Sequence, residues 1–254
     1  MCTIAVLIDL VDGAPLLLAA NRDELYARAT RPPEVLATSP HIIAGGRDAQ
    51  SGGTWLAVRA DGRFAAVTNQ RALATPPLGL RSRGLAVLEL AAADDPDAYV
   101  AALDPRAYAS MNLMWSDERG RVSIAHARQD DGSLDVRRLS RGVHVLCNDR
   151  LGAPGFPRGE RLAAALLAAS MAWPANAPAL ERALGDHTRV PPPPDAHLAT
   201  ELARELTATC IHSPTYGTRS STIVAATAGA TIAYLHADGP PCTTPFADLR
   251  ALLS

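Results

Sequence analysis

Hydrophobic residues in this chain form short runs separated by polar turns. The first run alternates the β-branched residues Ile4, Val6 and Ile8, and an Asp-Gly pair at 12–13 separates it from a second apolar run over 15–20. This pattern predicts two adjacent strands at the start of the chain, of which the first is buried.

The same strand pattern recurs along the chain. Residues 55–58 and 64–68 flank an Asp-Gly turn and predict a hairpin, and residues 222–236 contain the last predicted hairpin. Between these hairpins lie four short apolar runs, at residues 112–115, 122–126, 134–137 and 143–147. The turns between the four runs are polar and short, which predicts a meander of four strands.

Helical spacing and capping residues predict the remaining elements. The predicted helices cover residues 81–93, 94–103, 158–171, 180–184, 196–208 and 246–253. Residues 31–34 and the proline run 190–194 are predicted to be irregular connections. Because the strands form antiparallel pairs and the helices fall in separate blocks, the sequence predicts an α+β fold with helices covering a layered sheet.

Length and charge limit the classes of function. A chain of 254 residues can bury a sizeable core, and we expect one domain over 1–254. The net charge of −2 provides no basic surface for nucleic acid, so nucleic acid is not an expected partner. Asp9 and Asp12 interrupt the first apolar run, so we predict no export signal. No apolar run approaches the length of a membrane span, so we predict no transmembrane segment and expect a cytoplasmic protein.

The four cysteines, Cys2, Cys147, Cys210 and Cys242, lie far apart and form no C-x-x-C pair. The seven histidines show no spacing typical of metal ligands. From these spacings we expect reduced thiols, no metal site and no bound cofactor.

Cys2 is the first candidate for chemistry. If the initiator methionine is removed, Cys2 carries a thiol and a free α-amino group, whose pKa of about 7.7–8.0 allows it to accept the thiol proton. The thiolate is the form that attacks a substrate. The alternative interpretation is a small buried apolar residue, as many free cysteines are.

Polar residues capable of chemistry also follow other predicted strands. Asn69 and Asn148 offer amides for a tetrahedral oxyanion, and Asp23 can hydrogen-bond an α-ammonium group. Arg22 or Arg219 can favour a thiolate. The sequence alone does not establish that these strand ends converge.

A glycine-rich segment over residues 44–56 contains two Gly-Gly pairs around a polar loop and ends at Trp55-Leu56. It lacks the residues of a Walker or dinucleotide-binding loop. Two interpretations stay open, a structural turn or a loop that gates a substrate, and Trp55 is either a core or a substrate-binding residue.

Several motifs, taken together, resemble the NRDE family, which is the family of transport and Golgi organization protein 2. They are Cys2, Asn21-Arg22-Asp23-Glu24, Gly45-Gly46-Arg47-Asp48, Gly52-Gly53-Thr54-Trp55-Leu56, Thr68-Asn69-Gln70-Arg71, Asn112-Leu113 and Tyr216-Gly217-Thr218-Arg219-Ser220-Ser221-Thr222. The resemblance spans nearly the whole chain.

The resemblance implies an αββα sandwich similar to the N-terminal nucleophile (Ntn) hydrolases, and a more distant similarity to the cysteine amidases that include bile salt hydrolase and penicillin V acylase. Cys2-Thr3, Asn21 with Asp23, Asn69 and Asn148 match the amidase pattern. Two positions depart from the relatives: Ala20 stands where the amidases carry an arginine, and Cys147 precedes Asn148 where NRDE relatives carry serine.

Two hypotheses follow for the function. The first is a hydrolase that cleaves a C–N amide bond of a small acyl substrate through a Cys2 acyl-enzyme. Its predicted catalytic residues are Cys2, Asp23, Asn69, Asn148 and Arg219, and its predicted substrate-binding residues are Asn21, Arg22, Trp55 and Arg71.

The second hypothesis is a non-catalytic carrier or trafficking factor for haem or an acyl or lipid ligand in the same pocket. The haem-ligand candidates are His126 and His144, because both lie on predicted strands. The alternative for each histidine is a satisfied core or surface residue. The sequence makes no prediction of oligomeric state.

Overall fold

Two antiparallel sheets packed face to face form the centre of the fold. The computed structural model describes residues 2–71, 77–192 and 198–254. The first sheet has six strands within these residues: β1 Cys2–Val11, β2 Ala14–Leu25, β10 Gly142–Leu146, β11 Tyr216–Thr227, β12 Ala230–Ala237 and β13 Ala247–Asp248. Their spatial order is β10-β1-β2-β11-β12-β13, which places β1 and β2 next to each other near the middle.

The second sheet has seven strands among the described residues, and they follow chain order from β3 to β9. The strands are β3 Thr30–Ala37, β4 Ile43–Asp48, β5 Leu56–Arg59, β6 Phe64–Asn69, β7 Met111–Ser116, β8 Val122–Ala127 and β9 Leu134–Arg138. The predicted hairpin over 55–68 is therefore confirmed as β5 and β6.

Helices cover the outer face of each sheet. The α-helices are α1 Arg83–Ala92, α2 Pro96–Ala101, α3 Pro157–Leu167, α4 Ala177–Leu184 and α5 Thr200–Glu205, and two short 3-10 helices cover Pro105–Ala107 and Arg250–Leu253. Leu90 of α1 packs in a cluster with Leu113 of the second sheet. Leu162 of α3 and Leu180 of α4 pack in a cluster with Leu17 of the first sheet. The predicted α+β class and its four layers, helix–sheet–sheet–helix, are confirmed.

The alternation in β1 explains how one strand serves two interfaces. Ile4, Val6 and Ile8 belong to the cluster between the two sheets, whereas Ala5 and Leu7 belong to the cluster under α3 and α4. Successive side chains of a strand point to opposite faces, so an uninterrupted apolar run fits a strand buried on both faces. The pairing of β1 with its neighbouring strands therefore fixes the position of Cys2, the first residue of β1.

Three sequence predictions of secondary structure are wrong. Residues 31–34 are part of β3, where prolines are tolerated because β3 is an edge strand that need not donate on both sides. The predicted four-strand meander is wrong at its last strand. The first three strands lie in the second sheet, whereas β10 belongs to the first sheet and pairs with β1. The predicted helix over 246–253 is instead β13 followed by a 3-10 turn.

The helices predicted over 81–93, 94–103, 158–171 and 196–208 are confirmed as shorter helices, whereas α4 begins earlier than predicted and covers Ala177–Leu184. Residues 193–197, which include part of the proline run and the start of the helix predicted over 196–208, lie outside the described residues. Within the part of the chain that the structure describes, no helix is both long and apolar enough to span a bilayer.

A close backbone contact fixes the glycine-rich loop against α1. The Thr54 amide donates to the Gly84 carbonyl at 3.1 Å. A Cβ atom on Gly53 would lie 2.2 Å from the carbonyl carbon of Gly84, a distance that no real side chain tolerates. Packing therefore requires a glycine at position 53, whereas Gly52 is favoured by its positive φ of +76°.

We expect Gly53→Ala to lower the free energy of unfolding by about 3 kcal/mol, because the added methyl group forces the loop and α1 apart. Urea unfolding measures this change. The matched control is Gly46→Ala, whose Cβ would meet its nearest atom at 3.4 Å, an ordinary contact. Equal stability of the two variants would contradict the packing role of Gly53.

Candidate functional site

A cleft of about 870 Å³ opens at the start of β1 and is the candidate site. Six of the residues predicted from sequence line it: Cys2, Arg22, Asp23, Trp55, Asn69 and Arg219. Three predicted residues, Asn21, Arg71 and Asn148, are not among its lining residues. The fold thus brings together side chains from β1, β2, β6 and β11 that are far apart in sequence.

Cys2 lies opposite Arg22 in the register of β1 and β2. Its side chain is half-buried and its thiol is free. Burial raises the pKa of the Cys2 thiol, and this effect exceeds the opposing influence of nearby positive charge, including that of Arg22. At neutral pH the thiol is therefore protonated and needs a base before it can attack.

Asp23 is buried beside Cys2, with 1% of its surface exposed. The Thr218 hydroxyl donates to its carboxylate at 2.7 Å, and the two residues face each other in the register of β2 and β11. Burial raises the pKa of Asp23, although the guanidinium of Arg158 opposes this shift. Asp23 is thus held in a fixed position next to the thiol.

The two predicted amides have different positions. Asn69 ends β6 and lines the cleft. Asn148 is buried behind it, and its Nδ2 donates to the Asn69 carbonyl at 3.0 Å. Asn148 therefore supports the backbone of Asn69 rather than facing the cleft.

Asn21 points to the helix-covered side of the first sheet. Its Nδ2 donates to the carbonyls of Leu184 and Thr209, each at 2.9 Å, and its Oδ1 accepts from the Ser221 hydroxyl. Because these contacts tie β2 to α4 and to the segment before β11, Asn21 has a structural position.

The predicted arginines are also divided. The Arg71 guanidinium stacks 4.4 Å from the ring centre of Phe156, outside the cleft lining. Arg219 lines the cleft, yet it donates to the carbonyls of Leu25 and Tyr26 at 3.1 and 2.8 Å. The register of β11 shifts between Thr218 and Ser220, so Arg219 is the extra residue of a bulge. Through these hydrogen bonds, the Arg219 side chain holds the backbone at the end of β2 in place.

Sequence reasoning missed two arginines. Arg158, in α3, is 2% exposed and donates to Asn148 Oδ1 at 2.7 Å and to the Leu206 carbonyl at 2.8 Å. Arg83, the first residue of α1, lines the cleft and interacts electrostatically with Cys2. Neither residue lies in a motif. From the sequence alone, each is expected to be an ordinary polar residue on the exposed face of a helix.

Positive charge dominates the described lining of the cleft, where seven arginines accompany four carboxylates. Arg28 pairs with Asp48 at 2.6 Å, Arg47 pairs with Glu34, and Arg81 pairs with Glu89. Arg22, Arg31 and Arg83 form no ion pair among the described residues. The cleft can therefore attract an anionic group.

The two arginines at the outer rim face each other. Arg31 lies opposite Arg47 in the register of β3 and β4, and both line the cleft. Glu34 pairs with Arg47, so Arg31 is the member of this pair that forms no ion pair among the described residues and can contact an anion.

The haem-ligand candidates lie elsewhere. His126 Nδ1 is 2.7 Å from Asn112 Oδ1, and the Leu151 amide donates to its Nε2 at 3.4 Å, so both ring nitrogens are engaged. His144 Nε2 is 2.8 Å from the Ser140 carbonyl. Neither histidine is among the lining residues of the cleft, so these two side chains do not fit an axial ligand in it.

The expectation of no metal site stays a prediction, but the fold brings together a group of potential metal ligands that the sequence analysis did not identify. His187, Cys210, His212 and Cys242 offer four ligand atoms that lie within 4.8 Å of one another. The sequence concealed this group because its members come from three segments. The Cys-x-His pair at 210–212 was the available signal.

Comparison with known proteins adds the family. The sequence profile of the family described as "Transport and Golgi organisation 2" matches residues 1–237. A relative from Bos taurus, named transport and Golgi organization protein 2 homolog, is 28% identical over 237 residues, which cover 82% of this chain and 81% of the relative.

Solved structures show the fold. Penicillin V acylase from Agrobacterium tumefaciens superposes with a TM-score of 0.59 at 15% identity, covering 98% of this chain and 86% of that one. The R18L variant of conjugated bile acid hydrolase from Clostridium perfringens has a TM-score of 0.59 at 12% identity, covering 100% and 94%. These likenesses confirm the predicted fold of the Ntn hydrolases.

Protonation of His126 should limit stability in acid. Burial lowers the pKa of His126 to about 4 from its usual value of 6.5. Between these values the unfolded chain binds a proton that the folded protein excludes. The free energy of unfolding should therefore fall by about 3 kcal/mol as the pH decreases from 6.5 to 4.

Urea unfolding from pH 4 to 7 measures this slope in the unsubstituted protein and in His126→Asn. The burial-lowered pKa of His236, also about 4, contributes to both proteins, so their difference isolates His126. Identical pH slopes in the two proteins would exclude His126 as a proton-sensitive core residue.

Proposed function

This chain belongs to the transport and Golgi organisation 2 family, and we propose that it is an Ntn-type hydrolase that cleaves a C–N amide bond through a Cys2 acyl-enzyme. The observation that carries the proposal is the position of Cys2. It begins a buried central strand, opens into a cleft and lies beside Arg22 and Asp23. The names of the two structural neighbours, an acylase and a hydrolase, support a reaction of this class.

Removal of Met1 gives the thiol its base in this proposal. The α-amine of Cys2 takes the thiol proton, and Sγ attacks the amide carbonyl carbon to form an S–C bond. The resulting ammonium group then returns a proton to the amide nitrogen as the C–N bond breaks and the amine leaves. Because burial raises the thiol pKa, this internal base is necessary near neutral pH.

Hydrolysis of the thioester completes the cycle. The same amine accepts a proton from water, and the hydroxide adds to the acyl carbon. The S–C bond then breaks to release an acid, and the ammonium group returns its proton to the departing sulfur, which restores the thiol and the free amine. Asp23 has the position of a group that orients the amine, since Thr218 holds its carboxylate beside Cys2. Every proton in the two steps passes through a group on Cys2 or the substrate.

The developing oxyanion needs donors at the same end of the cleft. Asn69 offers its amide there, and the hydrogen bond from Asn148 fixes its backbone. Arg158 in turn fixes Asn148 by donating a hydrogen bond to the Oδ1 atom of Asn148. We propose that Asn69 is the donor and that Asn148 and Arg158 are positioning residues.

The charge of the lining suggests the substrate class. Four arginines that line the cleft beside Cys2 form no ion pair among the described residues: Arg22, Arg31, Arg83 and Arg219. A substrate with a carboxylate, sulfonate or phosphate group away from its amide bond would fit this arrangement. A carrier that binds an acyl ligand without cleaving it is the competing outcome in the tests below.

Replacing the nucleophile should abolish acylation. We expect p-nitrophenyl acetate to give a burst of nitrophenolate and an acetyl mass increase on the N-terminal peptide, and Cys2→Ala to reduce the burst rate by more than about 1,000-fold. Intact mass of the same preparation should show that Met1 is absent.

The matched control is Cys147→Ala, which removes a buried thiol that is not among the residues lining the cleft. It should keep both the burst and the mass increase. Retained Met1, or equal labelling of the parent protein and Cys2→Ala, would reject the nucleophile assignment. Binding of an acyl ligand without turnover would favour the carrier.

Neutralising the outer rim should discriminate between charged and neutral substrates. We expect Arg31→Met to raise the KM for p-nitrophenyl hemisuccinate by about fivefold, which corresponds to the ~1 kcal/mol of an exposed charge pair. The KM for neutral p-nitrophenyl acetate should not change, because that ester has no anionic group to pair with Arg31.

Arg119→Met is the control for general charge, since Arg119 is exposed in the loop after β7 and does not line the cleft. It should leave both KM values unchanged. An equal effect of Arg31→Met on the two esters would contradict anion recognition at this rim.

A further inference from the structure

Four potential metal ligands meet beside the first sheet, outside the residues that line the cleft. His187 follows α4, Cys210 and His212 precede β11, and Cys242 follows β12. Cys210 and His212 are two residues apart, and their side chains approach Cys242 together. Nothing in the proposed hydrolysis uses any of these side chains.

The distances match those of a tetrahedral metal site. Cys210 Sγ is 3.8 Å from Cys242 Sγ and 3.7 Å from His212 Nε2, and His212 Nε2 is 3.3 Å from Cys242 Sγ. A tetrahedral Zn²⁺ with bonds of about 2.3 Å to sulfur and about 2.0 Å to nitrogen separates two sulfurs by about 3.8 Å and a sulfur from a nitrogen by about 3.5 Å. Three of the ligand atoms therefore already have the required spacing.

His187 supplies the fourth ligand. Its Nδ1 lies 3.0 Å from the Cys210 carbonyl, and because a carbonyl only accepts, this nitrogen is the protonated one. That leaves the Nε2 lone pair for a metal, with the tautomer fixed by a hydrogen bond, as is usual for metal-binding histidines. The His187 ring is exposed, and its centre lies 4.9 Å from the ring centre of His212. The ligand atoms of all four residues lie within 4.8 Å of one another, so His187 is already close enough to complete the group.

The backbone around the cluster is already ordered. The Cys210 amide donates to the Asp186 carbonyl at 2.9 Å, and the His212 amide donates to Glu205 Oε1 at 2.8 Å. Gly185 lies close to Cys242, since a Cβ on Gly185 would be 3.5 Å from the Cys242 backbone. The three segments are therefore held together before any ion binds.

We propose that His187, Cys210, His212 and Cys242 bind one Zn²⁺ ion as a structural site. Two thiolates and two imidazoles are a ligand set that zinc prefers, and four protein ligands leave no open position for a catalytic water. The ion joins the segments that precede β11 and follow β12, and residues of both strands and of the turn after β12 line the cleft. The site stabilises one wall of the cleft without taking part in the reaction.

Metal analysis of the full-length protein, purified with added Zn²⁺ and then freed of loose metal, tests the proposal. We expect about one equivalent of bound zinc. Replacement by Co²⁺ should produce visible d–d bands of tetrahedral geometry and a thiolate-to-cobalt charge-transfer band. Cys242→Ser should lose the zinc and the charge-transfer intensity, and because Cys242 is exposed this variant should still fold.

Cys147→Ala is the matched control and should keep zinc content and the cobalt spectrum unchanged. Cys2→Ala should also keep both, which separates this site from the proposed nucleophile. Absence of stoichiometric zinc in the reduced protein, or equal zinc content in Cys242→Ser, would overturn the proposal. A Cys210–Cys242 disulfide in protein purified without reductant, detected by mass, would also overturn it.

Discussion

The pairing register of β1 with β2 is the constraint on which the candidate site depends. It places Cys2 opposite Arg22 and, through β11, Asp23 opposite Thr218. A slip of one residue would turn every side chain of β1 to the other face. Because Ile4, Val6 and Ile8 pack between the sheets while Ala5 and Leu7 pack under the helices, such a slip would disrupt both clusters. The apolar core therefore determines where the thiol is, although none of its residues takes part in the chemistry.

Buried polar groups then fix the residues around the thiol. An unpaired polar group in the interior costs about 1–3 kcal/mol, so Asn148, Arg158 and Asn21 are retained in specific hydrogen bonds that join strands to helices. Asn148 and Asn21 belong to motifs that the sequence marked as functional. Their positions show that part of such a motif acts on the backbone of the site rather than on a ligand.

The cleft and the cysteine–histidine cluster illustrate two ways in which charge is placed. At the cleft, arginines from both sheets exceed the carboxylates that accompany them, and two of them, Arg31 and Arg47, are opposed across a strand pair. At the cluster, thiol and imidazole groups from three connecting segments lie together beside β11 and β12. Both arrangements use loops and strand ends held by the rigid sheets, which is where function is usually found.

The sequence by itself determined the local elements, the α+β class and the importance of Cys2, because strand alternation, turn residues and family motifs are local patterns. It did not determine that Arg158 of α3 reaches Asn148, that β10 joins β1, or that Cys242 approaches Cys210 across 32 positions. These contacts depend on how sheets and helices pack at long range. Packing energy is shared among many residues, so no single segment of sequence encodes it.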